Sequence, residues 1–455
     1  MSDRHCRFAG LFFPADSAEL AGEVRAFLEA ADSATSSATA APRAIVSAHA
    51  GYPYSGRFAG QSFAAVNWTP ARVVVISPSH RHPFRGLAYP SQQVFATPLG
   101  PLRIDRAACA ALAAAGLAHE EDAAHDDEHG IETQLPFIRM LWPEAQLVPL
   151  VCGAVPAAQV AAAIDALAGP ETLVVLSSDL SHFLPRSAAG GKDAETAHLL
   201  ETGEAEALTP GHACGATGLQ GWLMSRAGQG SKALRLGMGD SGDVTGDRAR
   251  VVGYGAWAFY PIDSAMLGPE AQSELLGLAR EAIAGRLAER PAPAPDPGRA
   301  ATPLQTRAAS FVTLTQDGTL RGCIGSIAAR RALATDVAEN AIAAAFRDPR
   351  FPPVTAGQLP QLRIKLAVLS RAQEMRIGGE DEALARIAPG LDGLILTSAG
   401  RRGTFLPAVW DSLPEPRAFL SALKQKAGLP RDHWAEDLRL HRFRVESFAE
   451  AETAA

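Results

Sequence analysis

The chain has 455 residues, 20% of them charged and 47% hydrophobic, with 42 Lys and Arg against 49 Asp and Glu. At about 150 residues per domain, that length suggests about three domains or two large ones, with cores sufficient to fold without disulfide or metal staples. The formal charge of −7 with no basic run argues against a nucleic-acid backbone binder and against a polybasic membrane surface.

The five cysteines (Cys6, Cys109, Cys152, Cys214, Cys323) are scattered and form no CxxC. That pattern excludes a disulfide framework and a local cysteine zinc knuckle, and suits a reducing compartment. The amino terminus, MSDRHCRFAGLFF, lacks the apolar core and cleavage site of a signal peptide. The alanine-rich stretch 107–118 falls short of the ~20 apolar residues that cross a bilayer. A cytoplasmic protein is expected.

Up to about Ile262, apolar runs alternate with alanine-rich segments. Strands are expected at Arg43–Ala48, Arg72–Ser77, Leu147–Cys152, Thr172–Ser178 and Arg250–Ala258. Helices are expected at Ser17–Ala30, Arg106–Leu117 and Ala157–Ala168, with the Ser/Ala/Thr stretch Asp32–Ala41 as a surface loop. Near-continuous apolar strands separated by helices predict an α/β sheet buried on both faces. The proline-rich segment 289–303 resembles a stiff linker. The helix before it, with Leu275, Ala279, Ile283 and Leu287 four apart, either closes a first domain or opens a second. Beyond it come a strand at Phe311–Thr315, a turn at Gln316–Gly318 and a helix at Ala334–Ala345. A strand at Leu362–Leu369 and a Gly/Arg turn at Gly400–Gly403 follow. Without clean βαβ alternation, this half predicts an α+β domain.

Three loops in the first half share one pattern. The strand ending at Ala48 runs into His49, the strand ending at Ser77 into His80, and the strand ending at Ser178 into Asp179 and His182. In open α/β sheets, ligand sites gather at the carboxyl ends of the strands. One such histidine is ordinarily a loop residue bonded to backbone, whereas three strands delivering to one edge predict a site. Imidazole with carboxylate and open positions suits Fe(II); more thiolate or imidazole suits zinc or copper. Cys214, in GHACGATG before a helical run, is either an inert small hydrophobe or a thiol with lowered pKa at a helix amino terminus. Asp179 alone is equally a helix cap. His129, in DDEHGIE, is an acid/base candidate or part of a solvated acidic helix start. In LRGCIG (320–325), the glycines predict a tight turn exposing Cys323 beside Arg321, a nucleophile or anion contact if the guanidinium favours thiolate. A buried, inert cysteine fits the same turn.

Seven segments in succession carry a resemblance to the Memo family. They are RFAGLFFP (7–14), HAGYPYSG (49–56), SPSH (77–80), TPLGPLRID (97–105), DEHGIETQLPF (127–137), SSDLSH (177–182) and ACG (213–215). The resemblance implies a fold similar to class III extradiol dioxygenases, with metal ligands on His49, His80 and Cys214. Asp179, His182 and His129 would line the same pocket. Ala48 stands where the family usually has proline, and Cys214 where the dioxygenase triad has a carboxylate. The second half resembles the AMMECR domain through FVTL (311–314), LRGCIG, AFRDPRFPP (345–353), RRGTFLPAVW (401–410), KAGL (426–429) and Trp434. This assigns the Leu275 helix to the second domain, giving domains 1–264 and 265–455 with the proline segment as an insertion.

Both families resemble components of the AmmeMemoRadiSam system. The resemblance therefore implies an Fe(II)-dependent enzyme (copper or zinc as alternatives) acting on a small cyclic or aromatic molecule. The second domain would process or hold a related intermediate. No CxxxCxxC occurs, so a radical SAM partner would be a separate protein. A non-catalytic metal-binding or redox-sensing adaptor, and metal-independent thiol chemistry at Cys214 or Cys323, are the competing expectations.

Overall fold

A computed structural model describes residues 3–35, 40–262, 267–290, 303–375 and 377–451. The described chain divides into two compact units at Gly268/Pro269, with Leu304–Thr306 returning to the first unit. There the backbone N–H of Arg235 donates to Thr306 Oγ1 at 3.1 Å. Most of the proline-rich segment, 291–302, lies outside the described residues.

The first unit is built on a nine-stranded sheet. Its strands are β1 (Ala44–Ser47), β2 (Arg72–Pro78), β3 (Leu87–Tyr89), β4 (His119–Glu120), β5 (Gln146–Cys152), β6 (Thr172–Ser177), β7 (His182–Leu184), β8 (Ser231–Asp240) and β9 (Val251–Pro261). The order is β7-β9-β1-β6-β2-β5-β3-β4, with β8 paired to β9. The central run β1-β6-β2-β5 is parallel, and β9 joins β1 antiparallel. Val73, Val74, Val75, Leu173, Val175 and Leu176 are buried on these strands. Their β-branched and leucine side chains point alternately to two covered faces, which accounts for the unbroken apolar runs. Helices α1 (Ser17–Thr35), α2 (Tyr52–Ala64), α3 (Arg106–Ala114), α4 (His129–Glu132), α5 (Leu135–Leu141), α6 (Ala157–Leu167), α7 (Arg186–Thr202) and α8 (Ala216–Met224) complete the unit.

Two boundaries differ from expectation. Helix α1 continues through Asp32–Thr35, because alanine and small polar residues offer no breaker there; 36–39 lie outside the described residues. Helix α3 ends at Ala114, and Gly116 turns the chain at φ 67°.

The second unit begins with α9 (Pro269–Leu287) and contains two four-stranded antiparallel sheets. One has the order β11 (Thr319–Gly325), β10 (Ala309–Gln316), β12 (Leu362–Leu369), β17 (Val445–Ala449). The other has the order β13 (Gln373–Glu374), β16 (Arg439–Phe443), β14 (Gly393–Ser398), β15 (Arg401–Phe405). Helices α10 (Leu333–Phe346), α11 (Glu380–Arg386) and α12 (Pro416–Lys426) accompany them. This is the α+β arrangement expected. The turn expected at Gly400–Gly403 is confined to Ala399 and Gly400, at φ 51° and 70°. From Arg401 onward the chain is already strand, paired with β14. No described helix is long and apolar enough to cross a membrane.

Candidate metal centre

Because β1, β6 and β2 are adjacent and parallel, the loops leaving their carboxyl ends open on one edge. His49 follows β1 and is buried, with 1% exposure. Its backbone N–H donates to Asp179 Oδ1 at 2.8 Å, tying the first loop to the one after β6. His49 Nδ1 lies 2.9 Å from Ser177 Oγ. That hydroxyl donates to Gly130 O at 2.5 Å. The hydroxyl proton is therefore committed, and Nδ1 must be the protonated nitrogen. Nε2 keeps its lone pair, and Cys214 Sγ lies 3.2 Å from it.

His80 is fixed in the same way by a different group. Its Nδ1 is 2.8 Å from Glu128 Oε1, and its backbone N–H donates to Oε2 at 2.8 Å. Burial works to raise the Glu128 carboxyl, but the hydrogen bonds and charge of His80, helped by the Gly130 N–H, outweigh it and hold it at about 2. The carboxylate is thus ionised, and it orients the ring with Nε2 free.

His129 opens α4 and completes the cluster. The ligand atoms of His49, His80 and His129 all lie within 4.8 Å of one another. The His80 and His129 ring centroids are 4.4 Å apart, and Phe12 covers His129 at 4.6 Å. Burial, then the neighbouring histidines, pushes both His49 and His129 down to about 3. At neutral pH both are uncharged lone-pair donors, the form that binds metal. Gly130 makes the close approach possible: a Cβ there would sit 2.3 Å from Ser77 Oγ and 3.1 Å from His49 Nδ1.

These residues fit a metal ion. His129 Nδ1 is buried with no hydrogen-bond partner, an unsatisfied donor or acceptor costing about 1–3 kcal/mol unless something occupies it. The two other rings have their second nitrogens fixed by Ser177 and Glu128, as metal-binding imidazoles ordinarily do. Three imidazoles suit iron, copper or zinc without selecting among them.

The other expected residues divide. Cys214 lies beside His49, and the backbone N–H of Asp179 points at its sulfur at 3.3 Å. Its thiol is not lowered by the start of α8: burial, then the Asp179 charge, pushes it up to about 12. Desolvation outweighs the helix terminus, so the metal-free protein carries the protonated thiol. Asp179 is buried and its carboxyl is raised by burial, against the pull of the His49 N–H. His182 is exposed at the start of β7, with Nδ1 2.8 Å from Leu180 O and Nε2 left over.

Glu128 and Ser177 were missed by sequence reasoning. Glu128 is 2% exposed, so DDEHGIE is not a solvated helix start. The available signal was its place directly before His129, with a side chain capping α4 at Gly130 N. Ser177 ends an apolar strand, where an inward hydroxyl needs a partner.

In the second unit, LRGCIG forms no turn. It lies on β11, with Cys323 opposite Thr313 and their Sγ and Oγ1 3.3 Å apart. The glycines serve close packing: a Cβ on Gly322 would meet Ala344 O of α10 at 2.1 Å. Arg321 reaches Pro353 O and Gln358 Oε1, both at 3.3 Å. The guanidinium nearest Cys323 is Arg350, which bonds Cys323 O at 3.1 Å and Asp348 Oδ2 at 2.7 Å. Asp348 in turn accepts the Cys323 N–H at 2.9 Å. The cysteine is half-buried, neither turn-exposed nor sealed in a core.

Comparison with known proteins agrees with both halves. A family model described as Memo-like protein matches residues 4–258, and one described as AMMECR1 matches 276–448. A MEMO1 family protein, MK0963 of Methanopyrus kandleri, is 31% identical over 279 residues, 56% of this chain and 99% of that protein. A MEMO1 family protein of Archaeoglobus fulgidus is 30% identical, again over 56% of this chain and 99% of its own length. Among solved structures, uncharacterized protein PH0010 from Pyrococcus horikoshii is 33% identical. The match covers 39% of this chain and 90% of that one, with a TM-score of 0.35. The chain belongs to the Memo family, as a fusion of a Memo-like domain with a carboxy-terminal AMMECR1 domain.

Proposed function

We propose that the first unit is a metal-dependent enzyme that acts on a small cyclic or aromatic molecule in the cytoplasm, with Fe(II) as its working ion. One observation carries this reading: three imidazoles meet at the carboxyl edge of a parallel sheet, two of them oriented by Ser177 and Glu128 with Nε2 turned toward the cluster. His49, His80 and His129 hold the ion, and Cys214 stands next to His49 as a further donor or as the pocket's thiol. An ion so held supplies Lewis-acid or redox chemistry to a bound substrate.

A cavity of about 290 Å³ adjoins Cys214, lined among others by Ser79, Phe84, Cys152 and Thr217. Its size suits a small ring. Phe8 and Phe12 pack on His129 and shield that ring from water. Asp179 is the buried proton-holding group, and His182 connects the pocket to solvent through its free Nε2. Arg321 and Cys323 of the second unit hold or process a related intermediate, and a radical SAM protein is the expected partner.

The test is oxygen uptake by anaerobically purified, Fe(II)-loaded protein with a panel of catechol-like compounds. Uptake that is lost in Asp179→Asn while iron is retained supports the enzyme. Stoichiometric iron with no turnover on any compound favours the adaptor reading instead.

A further inference from the structure

The second unit holds a cleft of about 770 Å³ formed by its two sheets, at the end of β11 and along β15. Its lining includes four cations, Arg330, Arg331, Arg402 and Lys426, and no aspartate or glutamate. Arg331 is already neutralised by Asp336 and Glu339. Among the described residues, Arg330, Arg402 and Lys426 have no carboxylate within ion-pair distance. Lys426 lies over the Phe405 ring, with Nζ 4.8 Å from its centroid, so it is held at the cleft while its charge stays uncompensated.

Elsewhere, buried or half-buried arginines such as Arg280 with Glu450 and Arg235 with Glu201 sit on acids. Three unpaired cations around one concavity repel one another, an arrangement that a bound anion would relieve. Ile327, Ala328, Gly325 and Gly403 supply a short apolar wall beside them. A cleft of this volume takes a small organic molecule.

We propose that this cleft binds a small molecule carrying a phosphate or diphosphate group. Arg330 and Arg402 clamp the phosphoryl oxygens, Lys426 neutralises a second charge, and the organic body rests on Ile327 and Ala328. Planar guanidinium groups bind phosphate through paired hydrogen bonds, and a diphosphate concentrates on two adjoining groups the charge that citrate spreads over three separate carboxylates. The site is independent of the metal centre, and its failure would leave the metal-centre reading untouched.

The test is calorimetric titration of the full chain with pyrophosphate, with citrate as the carboxylate comparison and a single-stranded oligonucleotide as the polymer comparison. Saturable binding of pyrophosphate at one site per chain is expected, tighter than citrate. It should weaken about tenfold in Arg402→Gln and again in Arg330→Gln/Arg402→Gln, as charge-assisted bonds are lost. Lys192→Gln, on the first unit, should bind as the parent does. Melting temperatures of the variants report whether they remain folded. Absence of saturable binding, unchanged affinity in the folded double variant, citrate binding as tight as pyrophosphate, or an oligonucleotide binding more tightly than pyrophosphate would each overturn the proposal.

Discussion

The two units place polar chemistry in opposite ways. In the first, imidazoles converge where parallel strands end, and desolvation holds two of them, His49 and His129, neutral. In the second, Arg330, Arg402 and Lys426 stand exposed to water around a cleft between antiparallel sheets. The first arrangement suits a cation, and the second suits an anion. The difference follows from topology. Parallel strands send all their loops to one edge, whereas antiparallel strands send them to both.

That contrast is sharpened first by Arg4, whose guanidinium pairs with Glu132 in the first unit, at 5% and 0% side-chain exposure. Glu132 also accepts the N–H groups of Arg7 and Phe8, at 3.0 Å or slightly longer, and so holds the segment that brings Phe8 and Phe12 onto His129. Arg4→Ala leaves a buried charge unpaired and should cost about 3–5 kcal/mol, read as a lowered denaturation midpoint. Arg417→Ala, whose partner Asp381 in the second unit is 95% exposed, should cost far less. Equal losses in the two variants would erase the distinction between the units.

Gly322→Ala is next. A strand pressed against α10 cannot accept the methyl without moving Ala344, and overpacking of this kind costs about 1–3 kcal/mol. A turn glycine at the surface would tolerate it, so an unchanged melting temperature would restore the turn. Glu128→Gln should then weaken metal binding about 10–100-fold, since it removes the carboxylate that orients His80. Equilibrium dialysis with Fe(II) or Zn(II) reads the effect directly.

At neutral pH the least visible effect is the pH dependence of the metal-free state, which emerges only under acid conditions. Burial lowers His49, His129 and the distant His125 from 6.5 to about 3. The unfolded chain binds protons first, so the stability these neutral rings contribute is complete above pH 6.5. It should be lost progressively as pH falls toward 3. His125→Asn should flatten that slope. A flat profile in the parent protein would mean that these rings are not buried.

Much of the first unit was legible because its apolar runs are long and its histidines immediately follow them. His49, His80 and Asp179 could be placed at one edge from strand direction alone. What could not be read was which neighbours hold them. Glu128 sits in an acidic run that looks solvated, and only the tertiary approach of that helix to β2 buries it. Neither could composition show that burial, and not the start of α8, dominates the Cys214 thiol. In the second unit, glycine has two uses, turning and close packing, and LRGCIG reads the same for both. The Ala344 carbonyl that decides between them is 22 residues away in sequence.

The most direct measurement is the metal content of anaerobically purified protein, compared with His49→Ala and His80→Ala. About one transition-metal ion per chain is expected in the parent and none in either variant, with both variants still folded. Stoichiometric metal retained in both would contradict the account.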